Sequence, residues 1–262
     1  MTGVLEAVKK GFNVASKSLG LVGILIIFNL VGNLASMPFA VAPGAQIAPN
    51  ATAGVLIFSV LFVLVSIFFQ GATLGLVRDY IKAGSMKLSD LAGYGAKYYL
   101  RLLGLGALII TIIAVVALVA GLLIAVTSPI NNMAATIIAV TIAIAIVVVA
   151  TVMYFIPLTL SPYSLVCDDT GIIASIKKSL SIVKPMLKVG KLLLLYVVLI
   201  LISLGIGFAV GFLVGLITAV LPASVGKILM AIATSVINGY LGIVMSAAFM
   251  VFYLGLSREK TA

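Results

Sequence analysis

Along this chain, long uncharged runs alternate with short stretches that collect nearly all the charge. A helix needs about 20 apolar residues to cross the hydrocarbon core of a bilayer. Six runs meet that length: residues 18–41, 54–77, 102–126, 134–157, 192–220 and 228–256, and no Asp, Glu, Lys or Arg lies in any of them. The pattern predicts an all-α, polytopic membrane protein with six transmembrane helices. Pro157 and Pro162 are expected to close or kink the fourth, because proline has no amide donor. Three connections are short and turn-rich: "APGAQIAPNATAG", "TSPINNM" and "LPASVGK".

The other connections carry the charge. Residues 1–17 hold Lys9, Lys10 and Lys17; residues 78–101 hold Arg78, Lys82, Lys87, Lys97 and Arg101. Residues 158–191 hold Lys177, Lys178, Lys184, Lys188 and Lys191, and the tail holds Arg258 and Lys260. Only Lys227 falls on the opposite side. The positive-inside rule therefore predicts that both termini are cytoplasmic. The N-terminal lysines resemble the start of a signal peptide, but the uncharged stretch behind them exceeds the 7–15 residues or so of a signal core. It is expected to stay as a span.

Each span that leaves the cytoplasm is preceded by a similar segment: "VLEAVKKGFNVASK" from Val4, "LSDLAGYGAKYYLR" from Leu88 and "GIIASIKKSLSIVK" from Gly171. Two returning spans end alike, in "GLVRD" and "GLSRE". Residues 1–262 thus read as a single membrane domain of three repeated units, about 4–87, 88–170 and 171–257. Each unit is an amphipathic interfacial helix followed by a helical hairpin. At 100° per residue, Val4, Leu5, Val8, Phe12 and Ala15 share one face in the first segment. Leu91, Tyr94, Tyr98, Tyr99 and Leu102 do so in the second, and Ile172, Ile176, Leu180, Val183 and Leu187 in the third. Ser89 and the pair Asp168–Asp169 suit helix starts. The basic residues of these helices, Lys9, Lys10, Lys17, Lys97, Arg101, Lys177, Lys178, Lys184 and Lys188, are expected to face lipid phosphates or an acidic partner. Their plainer role is to set topology.

Composition narrows the function classes. The 262 residues are 64% hydrophobic and 8% charged, with a net charge of +10. The cations adjoin apolar spans, so membrane lipid, anionic by charge, is the expected partner and nucleic acid is not. One cysteine, Cys167, precludes an intrachain disulfide. No histidine is present to activate a serine, and Cys167 with Asp168 and Asp169 is no recognisable ligand set. No catalytic residue, cofactor site or metal site is expected.

Inside the spans the polar side chains are chiefly Asn29, Asn33, Gln70 and Asn238. They could line a small polar site; the plainer reading is hydrogen bonding between helices. Gly71 and Gly75, and Ser203, Gly207, Gly211 and Gly215, recur at four-residue spacing, which lets helix backbones approach closely. The residues do not fix the oligomeric state.

Two stretches carry a family likeness: "FQGATLGLVRDYIKAGSMKLSDLAGYGAKYYLRLLGLG" and "LVCDDTGIIASIKKSLSIVKPMLKVGKLLLL". They resemble the membrane domain attached to some bacterial glycerophosphodiester phosphodiesterases and its stand-alone prokaryotic relatives. Asp168, Asp169, Gly171, Ile172, Lys177, Lys178 and Ser179 match that look. The hydrolase domain of that family is missing, so the resemblance implies a fold and a prokaryotic plasma-membrane setting without phosphodiesterase activity. Two functions follow as expectations: a non-enzymatic scaffold or accessory protein using its basic face, or a small permease or channel for a neutral or amphipathic solute.

Overall fold

The computed structural model describes residues 3–37, 49–127, 133–183 and 186–261. These are helical almost throughout, with no strand among the described residues. The helices are α1 (Val4–Lys17), α2 (Leu19–Ser36), α3 (Pro49–Ala83), α4 (Leu91–Thr127) and α5 (Met133–Ala150). They continue with α6 (Ile156–Leu158), α7 (Ser161–Cys167), α8 (Ile172–Val183), α9 (Met186–Thr218) and α10 (Ala223–Thr261). Among the described residues, six stretches are long and apolar enough to cross a membrane: Leu19–Ser36, Ala53–Ala83, Leu88–Val126, Thr136–Cys167, Leu187–Thr218 and Ala223–Arg258. That is the number expected from the uncharged runs. Parts of the "APGAQIAPNATAG" and "TSPINNM" loops lie outside the described residues.

The chain forms two compact units. One comprises Met1–Tyr99 with Leu194–Gly255, the other Leu100–Leu193 with Leu256–Ala262. Their boundaries fall inside α4, α9 and α10, so neither coincides with a sequence repeat. Long helices contribute to both units, which local sequence similarity does not reveal.

In the first unit, α1 ends at Lys17 and α2 begins at Leu19. The hydroxyl of Ser18, between them, donates to the Val14 carbonyl at 2.6 Å. Helix α1 buries Ala7, Val8, Gly11, Val14 and Ala15. A Cβ on Gly11 would lie 2.6 Å from the Val244 carbonyl oxygen and 3.2 Å from the Ala248 side chain, so α1 is docked against α10. Of the expected apolar face, Val8 and Ala15 are buried together with Ala7 and Gly11, while Leu5 is 76% exposed. Protein contact selects small residues that admit a close neighbour, and lipid accepts the large apolar ones. Phe28 of α2 stacks on Phe62 and Phe69 of α3, with ring centroids 5.1 and 4.4 Å apart. Helix α3 closes on Gly84, whose φ of 73° is the left-handed cap that glycine adopts without strain.

The second expected amphipathic segment is no separate helix. A 3-10 turn at Leu88–Asp90 leads into α4, which then runs unbroken for 37 residues. Ser89 lies in that turn and bonds the Asp90 carboxylate at 3.2 Å. No residue around 100–103 removes an amide hydrogen bond, so nothing breaks the helix at the expected elbow.

In the second unit the fourth span is interrupted where its prolines predict. Residues Thr151–Phe155 form a π-helical turn in which the Ile156 N–H reaches back to the Thr151 carbonyl. That extra residue precedes Pro157 and absorbs its missing donor. The Ser179 hydroxyl of α8 donates to the Pro157 carbonyl. Helix α7 ends at Cys167; Asp168 caps it and Asp169 follows with φ 51°. The acidic pair therefore terminates α7, where a helix start was expected. Helix α8 buries Ser175, Ser179, Ile182 and Val183 and leaves Ile173 64% exposed.

Candidate functional site

The basic residues divide by what holds them. Lys10 pairs with Glu6 one turn earlier at 2.9 Å. Lys97 Nζ sits 5.1 Å from the centre of the Tyr98 ring. Arg101 Nη1 meets Asp169 at 2.7 Å, and Lys178 Nζ meets Asp168 at 2.9 Å. These last two contacts tie α4 and α8 to the α7–α8 turn. They explain why two carboxylates stand side by side: each has a different cation. Lys188 is half-buried, and Lys184 lies outside the described residues. Lys9, Lys17 and Lys177 are exposed, and none has an ion pair or hydrogen bond among the described residues.

Lys177 borders a pocket of about 460 Å³ in the second unit. Met153, Tyr154 and Pro157 form one wall; Leu180, Ser181, Val183 and Val189 complete it. Met153 and Tyr154 belong to the π-turn and are more than half exposed. The pocket is therefore open and mostly apolar, with Ser181 and Lys177 as its polar members among the described residues. No sequence pattern announces it, because it depends on the π-turn that Pro157 provokes.

Sequence reasoning also missed a polar cluster in the first unit. Arg78 Nε and Nη2 both donate to Asp79 Oδ1, at 3.0 and 2.8 Å. Arg78 Nη1 donates to the Tyr98 hydroxyl at 2.7 Å, and the Tyr94 hydroxyl donates to Asp79 Oδ2. The guanidinium carbon lies 5.2 Å from the Tyr94 ring centre. A Cβ on Gly75 would lie 2.5 Å from the Tyr94 ring, so that glycine is required for α3 and α4 to approach. The four side chains satisfy one another and staple α3 to α4. The tyrosines at 94 and 98, one turn apart, were the available signal. Gly71 is buried nearby on α3.

The intramembrane amides have separate fates. Asn33 Nδ2 donates to the Ser235 hydroxyl at 2.9 Å, joining α2 to α10. Asn29 Nδ2 turns back to its own helix, on the Leu25 carbonyl at 2.7 Å. Gln70 is exposed. Asn238 lines a groove of about 620 Å³ between α9 and α10, with Ser203, Gly207, Gly211 and Thr234. No hydrogen bond joins any two of the four amides.

Within this chain no described neighbour fills the face at Gly207, Gly211 and Gly215: an added Cβ at each would meet nothing within 4 Å. Gly239 of α10, like Gly11 and Gly75, is tight: a Cβ there would sit 2.8 Å from the Ile26 amide nitrogen of α2. Spacing identifies a small face without saying whether a neighbour fills it.

No curated protein and no solved structure matches the chain. One family model does, over residues 3–256, and its description is "Domain of unknown function (DUF7847)". With nearly its whole length matched, the chain belongs to the DUF7847 family.

Proposed function

We propose that the protein is a non-enzymatic integral membrane scaffold or accessory subunit of a prokaryotic plasma membrane. Its basic cytoplasmic face contacts anionic lipid or an acidic cytoplasmic partner. Cytoplasmic termini and three repeated hairpin units belong to this proposal. So does the resemblance to the membrane domain of glycerophosphodiester phosphodiesterases, which bears on fold and setting alone.

One observation carries the reading. Lys9, Lys17 and Lys177 are exposed without an acidic partner among the described residues, while Lys10, Arg101 and Lys178 are neutralised by Glu6, Asp169 and Asp168. A basic residue beside an anionic membrane surface contributes about 1 kcal/mol. Three such residues together favour anionic over neutral lipid substantially.

The test is lipid analysis of the protein extracted from its own membranes. Anionic phospholipid is expected to be enriched over the bulk membrane. The triple variant Lys9→Gln, Lys17→Gln, Lys177→Gln is expected to lose most of that enrichment. Equal lipid composition around both proteins overturns the lipid role.

The permease reading draws on the groove between α9 and α10, which Asn238 lines together with Ser203 and Thr234. Solute uptake by proteoliposomes, abolished by Asn238→Leu, is the result that favours it.

A further inference from the structure

The paired lysines of α8 are not equivalent. Lys178 is held by Asp168 at 2.9 Å, and its role is to fix α8 to the turn before it. Lys177, its neighbour, has no counter-charge among the described residues and borders the apolar pocket of the second unit. We infer that this pocket is a specific site for one anionic phospholipid, with the headgroup phosphate on Lys177 Nζ and an acyl chain along Met153, Tyr154, Leu180 and Val189.

Three features support a built site. The walls are pre-organised, since the Ser179 hydroxyl bonds the Pro157 carbonyl and so locks α8 to the π-turn. π-turns recur at functional sites. The volume, about 460 Å³, falls within the range of roughly 300–1,000 Å³ typical of small-molecule pockets, enough for part of a lipid. The chemistry is complementary as well. Methionine adapts to a flexible chain, and tyrosine suits the boundary between hydrocarbon and headgroup. Among the described lining residues Lys177 is the one cation, on a rim that is otherwise apolar except for Ser181, and this calls for an amphiphile with an anionic head.

The inference rests on the lipid-contacting reading above and sharpens it from a diffuse basic face to a single site. Native mass spectrometry of the full-length protein, titrated with dioleoyl phosphatidylglycerol or dioleoyl phosphatidylcholine, tests it. The first phosphatidylglycerol adduct is expected to form preferentially. Lys177→Gln is expected to weaken it about fivefold, the effect of one basic residue at an anionic surface. Lys177→Arg is expected to retain it, and Met153→Trp to weaken it with every charge unchanged. Lys87→Gln, a matched loss of charge at an exposed lysine elsewhere, is expected to leave it intact.

Equal weakening by Lys87→Gln and Lys177→Gln overturns the single site while sparing the general lipid role. No preference for phosphatidylglycerol over phosphatidylcholine in the unaltered protein overturns both. An unchanged first adduct in Lys177→Gln, or tighter binding of oleate than of phosphatidylglycerol, also overturns the site.

Discussion

Arg78 Nη1 donates a hydrogen bond of 2.7 Å to the hydroxyl of Tyr98, a residue with no exposed surface. The phenol is enclosed by neighbouring protein, and the guanidinium supplies the partner that burial demands. Tyr98→Phe removes the acceptor and leaves the Arg78–Asp79 pair. A hydrogen bond involving a charged group contributes about 1.5–3 kcal/mol, so a loss near the lower end is expected. Denaturant unfolding in micelles measures it, and an unchanged midpoint refutes the staple.

Gly239 and Gly207 are chemically identical and structurally opposite. Ala at 239 pushes a methyl against the Ile26 backbone, and overpacking of this kind costs about 1–3 kcal/mol. Ala at 207 meets open space and gains up to about 1 kcal/mol of helix propensity. Thermal melting of the two variants should therefore shift in opposite directions.

The Asn33–Ser235 hydrogen bond crosses between α2 and α10. Interhelical bonds in membranes average about 0.6 kcal/mol and reach about 1.7. A double-mutant cycle of Asn33→Ala and Ser235→Ala should return a coupling in that range. Zero coupling means that the pair only happens to be close.

Ser161 is fully buried, and its hydroxyl has no hydrogen-bond partner among the described residues. An unpaired hydroxyl carries an uncompensated desolvation cost of about 1–3 kcal/mol. Ser161→Ala is expected to be neutral or stabilising by unfolding midpoint; a clear destabilisation shows that the hydroxyl is satisfied.

Glu6 titrates below its ordinary value of 4.5, first because Lys10 hydrogen-bonds its carboxylate and then because of the charge of Lys10. A lowered carboxyl pKa stabilises the fold at pH values above the unfolded pKa. That contribution disappears as pH falls through the folded one. Carbon-13 titration of the Glu6 carboxyl should give a midpoint below 4.5, returning toward it in Lys10→Gln.

The spans were legible in the sequence because length and absence of charge are local properties. The faces of the amphipathic helices were less so. Hydrophobic periodicity grouped Val8 and Ala15, which are buried, with Leu5, which is exposed, and left out Gly11, which meets α10. In the third segment it gathered Ile172, Ile176, Leu180, Val183 and Leu187, of which Val183 is buried, and left out the buried Ser175 and Ser179. In water, burial and hydrophobicity point the same way; beside lipid they separate, and small residues mark the protein contact. Tyr98 and Leu102 were assigned to the correct face, since an aromatic at the membrane boundary has both a body to bury and a hydroxyl to satisfy. The pocket at Lys177 was illegible because the π-turn, α8 and the start of α9 must fold before it exists.

The unbroken α4 has a mechanical corollary. At 1.5 Å per residue its uncharged stretch, residues 102–126, measures about 38 Å against about 30 Å of hydrocarbon, and the turns before it carry Lys97 and Arg101. A rod of that size meets the mismatch by leaning or by protruding, and its equilibrium lean follows the thickness of the surrounding bilayer. Lipid chain length thus becomes a dial on the angle of this helix, and thinner membranes should tip it further.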